Sequence, residues 1–370
     1  MADIQNQYRP DVVSPPGETL QELLEELGMT QTELAERTGR PKKTINEIVK
    51  GKSAITPETA LQLERVLGVP ASFWNNRERL YREHLAAQAE ATELEQHLGW
   101  LSRFPVAELI RRQWLRQAAH PVEQLRELLN FFAVASPEQW EAMAVAKVAL
   151  YRRSEGSHPE ALAAWLRRGE IEAQEVVTGP FDRKRFGATL DRLRALTRDP
   201  PESFRPTLTE ECARVGVAVV FVPEIPGCKV SGATHWMNGK AIIQLSLRYK
   251  TDDHLWFTFF HEAAHILLHE RSEIFLETDA PMSDDREAEA DRFAADLLIP
   301  PAAYEAFIRD KAQDLSETLG AAIRDFAATH GIAPGIVVGR LQHDRRIPFS
   351  RCNELKRRFA WRPDGEPETK

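Results

Sequence analysis

The residues of this chain best suited to do chemistry are two histidines and a glutamate in the segment HEAAH, residues 261–265. His261 and His265 are four residues apart, so on an α-helix both imidazoles lie on one face and can bind one metal ion. Glu262 follows His261 directly and can accept the proton of a zinc-bound water as a general base. The spacing predicts a zinc-dependent hydrolytic site, although chance produces this motif in on the order of a few per cent of chains this long.

A third metal ligand is expected from the acidic segment DDREAEADRFAADLLIP that follows. Its apolar spacing predicts a second helix, from which Glu289 can project toward the first. Glu287 is the rival ligand, and the sequence-based preference is for Glu289. Asp291 is the candidate to hydrogen-bond to a ligand histidine. The same acidic run also suits a solvated helix start, where carboxylates interact favourably with the helix dipole.

Other polar side chains near the motif are harder to assign from the sequence. His269 continues the histidine face, but the helix rise of about 1.5 Å per residue carries it away from the ion, so we expect a structural role. The strand predicted at Val230–Trp236 could pair with an extended substrate. Five residues could contact a substrate or stabilise an oxyanion, and the sequence does not rank them: His235, Tyr249, His254, Tyr304 and His330.

A second constellation lies near the N-terminus, where two short predicted helices flank a turn at Gly39. This spacing is typical of a DNA-reading helix-turn-helix. Residues 40–52 contain five basic residues and one acidic residue, which is the local excess that phosphate contact requires. A helical bundle with a solvated lysine face is the alternative.

Six residues of this constellation are expected to contact DNA. Asn46 can form two hydrogen bonds with adenine, and Thr44 can reach a base edge or a thymine methyl group. Gln31, at the start of the preceding helix, is placed to meet a phosphate. The remaining three are the lysines that the second helix exposes: Lys42, Lys43 and Lys50.

Composition sets the broad class of the protein. The 370 residues are 42% hydrophobic and 28% charged, which indicates a globular protein of two or three domains. The net charge of −8 excludes a basic field over the whole chain, so a DNA contact must be local. Three cysteines far apart, no signal-peptide pattern and no long apolar run predict a cytoplasmic protein that does not enter the membrane.

Changes in residue pattern along the chain predict an α+β fold that is mostly α. The expected order is a flexible arm, a five-helix bundle, a helical middle region that ends in a linker, a domain with a small antiparallel or mixed sheet, and a C-terminal tail. The corresponding ranges are 1–16, 17–82, 83–204, 205–345 and 346–370.

Two family resemblances extend these predictions. The segment from Pro15 to Trp74, above all GKSAITPETALQLERVLGVPASFW, closely resembles the HigA-type antitoxin branch of the phage-repressor-like (XRE) helix-turn-helix family. This resemblance implies that a homodimer binds a double-stranded DNA operator and regulates its own expression.

The second resemblance is to the ImmA/IrrE metallopeptidases. Three segments within 205–345 carry it: FHEAAHILLH, EAEADRFAADLLIP and HGIAPGIVVGRLQH. It implies a zincin-like domain in which His261, His265 and Glu289 bind zinc and Glu262 is catalytic, and a regulatory endopeptidase that cleaves a helix-turn-helix repressor. Many members have glycine before the second histidine, where this chain has Ala264. A methyl group is tolerable there on a helix, so we expect activity to be retained.

Together these features predict a DNA-binding regulator with a zinc endopeptidase that cleaves a repressor, an antitoxin or another regulatory protein. The main alternative is an antitoxin or repressor whose peptidase-like domain only senses metal or binds a partner toxin. Glu262 argues against it, because a structural zinc site needs no such acid and usually has four protein ligands. A hydrolase of small molecules is a third possibility, but no pocket signature supports it.

Overall fold

The computed structural model describes residues 13–143, 158–269, 275–278, 285–311, 318–362 and 367–370. The chain divides into two compact units, Met1–Leu98 and Gly99–Lys370. Their described parts are mostly helical, with a small four-stranded mixed sheet and a two-stranded sheet, which confirms the predicted α+β class. Within these ranges we find no helix with the length and apolarity that a bilayer crossing demands.

The first unit contains five described helices, and their ends follow signals in the sequence. The Thr30 hydroxyl accepts a hydrogen bond from the Glu33 amide at 3.1 Å, so it caps the second helix. Gly39 ends that helix with φ of 67°, a left-handed conformation that favours glycine. The helices are α1 (Pro16–Glu26), α2 (Gln31–Thr38), α3 (Lys42–Val49), α4 (Pro57–Leu67) and α5 (Ala71–Gln96).

The core of the first unit fixes the orientation of α3. Ile45 and Ile48 are buried, so the opposite face of the helix is turned to solvent. Helix α5 runs past the domain boundary expected at residue 82, because the helical residue pattern continues without interruption as far as Gln96. Of the predicted arm, residues 1–12 lie outside the described residues, whereas the Ser14 hydroxyl accepts a hydrogen bond from Arg77 at 2.9 Å.

The helical middle region packs directly on the sheet of the second unit. Its helices are α6 (Val106–Arg111), α7 (Pro121–Phe132), α8 (Pro159–Glu175), α9 (Arg183–Leu193) and α10 (Pro201–Arg214). The linker expected at the end of the middle region, before residue 205, is wrong: α10 starts at Pro201, because proline is compatible with a first helical turn and Phe204 is buried against Trp256. The Trp165 indole donates to the carbonyl of Val222, which ties α8 to the sheet.

The four-stranded sheet has the order β1-β3-β2-β4, with β1 (Val217–Phe221), β2 (Val230–Met237), β3 (Lys240–Leu245) and β4 (Phe275–Thr278). Strands β1 and β3 are parallel, and β2 is antiparallel to both β3 and β4. Strand β2 is therefore central. The expectation that an extended substrate pairs with Val230–Trp236 is wrong for residues 232–234, because β3 and β4 occupy both edges there.

The rest of the second unit surrounds the helix that carries the HEAAH motif. The helix with the motif is α11 (Asp252–Leu268). The other helices are α12 (Asp285–Leu298), α13 (Pro301–Lys311), α14 (Leu319–His330) and α15 (Pro334–His343). The C-terminal segment, defined here as residues 345–362, includes β5 (Phe359–Trp361), which pairs with β6 (Pro367–Thr369). The predicted tail is therefore wrong for these residues, because Phe359 is buried against Phe204 and holds the segment in the core.

The start of α11 is held by buried carboxylates and two glycines. A Cβ atom at Gly335 would lie 2.3 Å from Asp252 Oδ1, and one at Gly339 would lie 2.6 Å from Asp253 Oδ2, so only glycine lets α15 approach this closely. Asp253 also forms a buried ion pair of 2.6 Å with Lys356 of the C-terminal segment. Burial, together with the charge of Asp253, raises the pKa of Asp252 to about 7.

We expect Gly335→Ala to destabilise the protein by about 1–3 kcal/mol or more, because the added methyl group overlaps the Asp252 carboxylate and must push α15 from α11. The control is Gly320→Ala in α14, where a Cβ atom would meet only the Arg324 guanidinium at 3.9 Å. That change should be neutral or stabilise by up to about 1 kcal/mol. Urea unfolding of the three proteins measures both effects, and equal stability of the two variants would contradict the close-packing argument.

Candidate metal centre and nucleic-acid interface

The HEAAH motif lies in the middle of α11, which is buried along almost its whole length. Aromatic and aliphatic side chains of α11 hold it in the core of the second unit, including Phe259, Phe260 and Ile266. The Thr234 hydroxyl of β2 donates to the Glu262 carbonyl at 3.0 Å. Because α11 packs against β2 and α12, the motif histidines project into a fixed and largely dry environment.

Three side chains from α11 and α12 meet at one point. His261 Nε2 lies 3.0 Å from His265 Nε2 and 3.1 Å from Glu287 Oε2. His265 Nε2 lies 3.5 Å from the same carboxylate oxygen. These three residues are the group that could hold a metal ion among the described residues.

The dimensions of this triangle fit zinc. Imidazole nitrogens and carboxylate oxygens bind Zn²⁺ at about 2.0–2.2 Å, so two ligands of a tetrahedral site are about 3.4 Å apart. The observed separations of 3.0, 3.1 and 3.5 Å are close to that value. Three protein ligands also leave the fourth tetrahedral position open for water or substrate, as in catalytic zinc sites.

The third member of the group is Glu287, and the preference for Glu289 is corrected. Glu287 and Asp291 are four residues apart on α12 and so share one helix face. Both contact His261, and the Glu287 side chain is only 14% exposed. Glu289 lies two residues further along, about 200° around the helix, with its side chain 55% exposed and its carboxylate 3.4 Å from His269.

Hydrogen bonds behind the triangle orient both imidazoles. His261 Nδ1 lies 2.9 Å from Asp291 Oδ1, which is the contact expected for Asp291. His265 Nδ1 lies 2.9 Å from His269 Nδ1, so His269 supports a motif histidine instead of joining the triangle. Each Nδ1 atom is engaged, and each Nε2 atom faces the triangle. Such outer contacts fix the tautomer and the ring orientation of metal-binding histidines.

The electrostatics of the triangle favour metal-binding protonation states. Burial opposes ionisation of Glu287, but hydrogen bonds from His261 and His265 outweigh it and lower its pKa to about 2. Burial lowers the pKa of His265, and the neighbouring His261 and His269 lower it further, against the opposing effect of Glu287. At neutral pH the group therefore offers a carboxylate and a neutral imidazole.

Glu262 lies at the interface of α11 and β2, and its position depends on a glycine that the sequence analysis missed. A Cβ atom at Gly232 would lie 2.5 Å from Thr258 Cγ2 and 2.8 Å from Glu262 Oε1. Only glycine lets β2 approach the fully buried Glu262 carboxylate this closely. A glycine inside the otherwise β-type segment VSGATHW was the available signal, because glycine within a strand often marks close approach.

A cleft of about 740 Å³ is lined by Phe257 and Asp291, which both contact His261, and by two of the five unranked residues. Tyr249 and His254 line the cleft, with their rings stacked 4.2 Å apart. The other three do not line it. His235 is buried in β2, Tyr304 is buried with the Arg340 guanidinium 5.0 Å above its ring, and His330 packs on Phe326 at 4.4 Å. Of the five, only Tyr249 and His254 therefore lie at this cleft.

In the first unit, three of the six side chains expected to contact DNA are exposed on α3 or directly after it. Lys42, Lys43 and Lys50 are exposed, and Lys43 Nζ lies 3.8 Å from Glu47. The Asn46 amide donates to Gln31 Oε1 at 3.2 Å, which brings these two predicted contacts together.

Sequence reasoning missed one partner of this pair. Gln31 in turn donates to Gln21 of α1 at 2.9 Å, so side-chain amides from α1, α2 and α3 form a continuous polar line. No spacing in the sequence indicates Gln21, because the contact depends on how α1 crosses the other two helices. Thr44 is partly buried on α3.

Comparison with known proteins assigns both parts of the chain. Residues 20–74 match the family model described as helix-turn-helix, and residues 212–342 match a peptidase family model described as the IrrE N-terminal-like domain. The uncharacterized HTH-type transcriptional regulator YddM of Escherichia coli (strain K12) is 34% identical over 77 residues, which are 21% of this chain and 79% of that protein. Virulence-associated protein I of Dichelobacter nodosus is 38% identical over 74 residues, 20% of this chain and 68% of that protein.

A solved structure, the Pseudomonas aeruginosa antitoxin HigA with the higBA promoter, is 29% identical, with 23% of this chain and 94% of that chain covered and a TM-score of 0.22. The family matches confirm that a helix-turn-helix domain and an IrrE-like domain occur in one polypeptide. The chain belongs to the helix-turn-helix transcriptional regulators through its N-terminal unit and carries a peptidase-type IrrE N-terminal-like domain in its second unit.

Proposed function

We propose that this protein is a DNA-binding transcription regulator whose second unit is a zinc-dependent endopeptidase acting on a repressor, an antitoxin or another regulatory protein. The observation that carries the proposal is the triangle of His261, His265 and Glu287 with Glu262 one residue from its first member. The match to a peptidase family over residues 212–342 supports the same reaction class. A cytoplasmic location stays a prediction.

The proposed chemistry divides between the metal and the chain. Zinc held by the triangle would polarise the scissile carbonyl and lower the pKa of a bound water to about 7. Glu262 accepts the proton of the attacking water on its carboxylate and then passes it to the leaving amine nitrogen. The water oxygen first bonds to the carbonyl carbon. The carbon–nitrogen bond then breaks when the amine nitrogen receives the proton. Asp291 and His269 keep the two imidazoles oriented throughout.

Exchange of either acid of α12 for its amide tests the ligand assignment. We expect Glu287→Gln to lower zinc affinity by at least tenfold, because it removes the carboxylate within reach of both histidines. Glu289→Gln is the matched control on the same helix and should keep about one zinc per chain. Zinc is measured by elemental analysis after dialysis against a weak chelator. Retention by the first variant with loss by the second would restore Glu289 as the ligand.

Cleavage is tested with the repressor or toxin encoded beside this gene. Zinc-loaded wild type should cut the protein at a defined bond, and Glu262→Gln should lose at least about 100-fold in rate with zinc content unchanged. Fragment masses identify the bond, and circular dichroism checks the fold of the variant. Equal processing by both proteins would exclude Glu262 as the base.

A second function is an antitoxin or repressor whose peptidase-like domain senses metal or binds a toxin. The buried triangle supports metal binding in either case. One zinc per chain, without cleavage of any neighbouring gene product by the wild type, would favour this function. It would also require that zinc alter affinity for DNA or for the toxin.

We further propose that α3 reads a double-stranded DNA operator, with a homodimer as the binding species. The face opposite Ile45 and Ile48 carries the exposed lysines, which suit phosphates, and Asn46, which suits adenine. The helix-turn-helix match over residues 20–74 supports this role.

Separate variants distinguish phosphate contact from base reading. Lys43→Ala should weaken binding to all DNA sequences and reduce the slope of log affinity against log salt by about 1. Asn46→Ala should leave that slope unchanged but reduce the preference for the operator by about 1–3 kcal/mol. Arg65→Ala, which removes an exposed charge from α4, is the control. Fluorescence anisotropy on the promoter of this gene and on scrambled DNA measures all three, and identical behaviour of the three variants would exclude α3 as the reading helix.

A further inference from the structure

One cleft is lined both by two residues that contact His261 and by residues of the C-terminal segment. Phe257 and Asp291 line the cleft, and both also contact His261: the Phe257 ring centre is 6.1 Å from the imidazole, and Asp291 is hydrogen-bonded to it. Phe349 and Lys356 of the C-terminal segment line the same cleft. Both lie beyond residues 212–342, the part of the chain that matches the peptidase family.

The cleft is chemically suited to an apolar group. Two of its basic side chains already have acidic partners: Lys356 pairs with Asp253 at 2.6 Å, and Arg340 pairs with Asp344 at 2.7 Å. These pairs reduce the charge that the walls offer to a ligand. Most of the apolar lining comes from α11, α12, α15 and the C-terminal segment: Phe257, Ala295, Leu298, Ile299, Ile336 and Phe349.

Phe349 is exposed on a backbone that is firmly held. Phe349 as a residue is 72% exposed to solvent. Its carbonyl accepts hydrogen bonds from Gln342 at 3.2 Å and from Asn353 at 2.8 Å. Gln342 is itself buried, and its amide also donates to the carbonyl of Arg351 at 2.9 Å. Ile347, two residues before Phe349, is buried and anchors this part of the chain.

This combination favours recognition. An aromatic ring in water is unfavourable, yet the hydrogen bonds to the Phe349 carbonyl hold its backbone beside the cleft. Because this backbone is already ordered, a partner that covers the ring loses less conformational entropy on binding.

We propose that Phe349 and the apolar wall of this cleft bind a large apolar side chain of the polypeptide substrate, so that the C-terminal segment sets substrate specificity. The proposal rests on the endopeptidase function and adds to it the class of side chain that is selected. In this proposal Phe349 binds the substrate, and the triangle and Glu262 carry out the reaction.

The test uses zinc-loaded full-length Glu262→Gln protein and fluorescein-labelled peptides of the form Ala-Ala-Xaa-Ala-Ala. Xaa is Phe, Leu, Ala, Asp or Lys, and binding is followed by anisotropy. We expect the Phe and Leu peptides to bind about tenfold more tightly than the other three. Adding Phe349→Ala should abolish this difference, because the peptide loses its aromatic contact, while affinity for the Ala peptide stays unchanged. Val177→Ala, which trims an exposed apolar side chain in the turn after α8, is the control and should change nothing.

The outcomes separate this proposal from the endopeptidase function. Equal binding of all five peptides, or a preference that survives Phe349→Ala, overturns the role of Phe349 even if the wild type cleaves its protein substrate. A preference that depends on Phe349 supports the binding role even if the wild type cleaves nothing, and the endopeptidase function then fails alone. Where cleavage occurs, Phe349→Ala should raise KM for substrates with an apolar side chain and leave kcat unchanged.

Discussion

The second unit depends on the packing of α12 against α11. This contact places the carboxylate of Glu287 within 3.1 Å of His261 and 3.5 Å of His265, and it brings Asp291 behind the first imidazole. Neither helix holds a complete ligand set alone. A buried carboxylate facing two imidazoles is stabilised by their hydrogen bonds, and a metal ion would stabilise the same group further. The candidate chemistry is therefore a property of one helix–helix contact.

The packing of α12 on α11 requires the N-terminal end of α11 to stay fixed. Residues of α15 and of the C-terminal segment supply this constraint. Gly335 and Gly339 let α15 approach the Asp252 and Asp253 carboxylates closely, and Lys356 pairs with the second of them. Removing one partner of a buried ion pair is costly, because it leaves an uncompensated charge. The C-terminal segment thus supports the helix of the motif and also lines the cleft of about 740 Å³.

Several features could be read from residue types because they depend on local interactions. Thr30 and Gly39 mark the ends of α2, and the four-residue spacing of His261 and His265 puts both on one face of a helix. The sequence-based preference for Glu289 over Glu287 differs from the structure because the helical phase of α12 relative to α11 cannot be known from spacing. Strand β2 reads as a free strand in the sequence, yet its hydrogen-bonding partners β3 and β4 are chosen by the sheet as a whole.

The sequence by itself determined the helix of the HEAAH motif, the helix of the acidic segment that follows it, the ends of α2 and the mostly helical class. Helix periodicity and capping act over a few residues, so they can be recognised locally. Tertiary structure decided which acid joins the histidines, that Gly232 must admit Glu262, and that Ile347 and Phe359 anchor residues 345–362 to the core instead of leaving a tail. Those outcomes depend on contacts between segments distant along the chain. The rotation and approach of one packed element relative to another are set by the fit of the whole core, which no single segment contains.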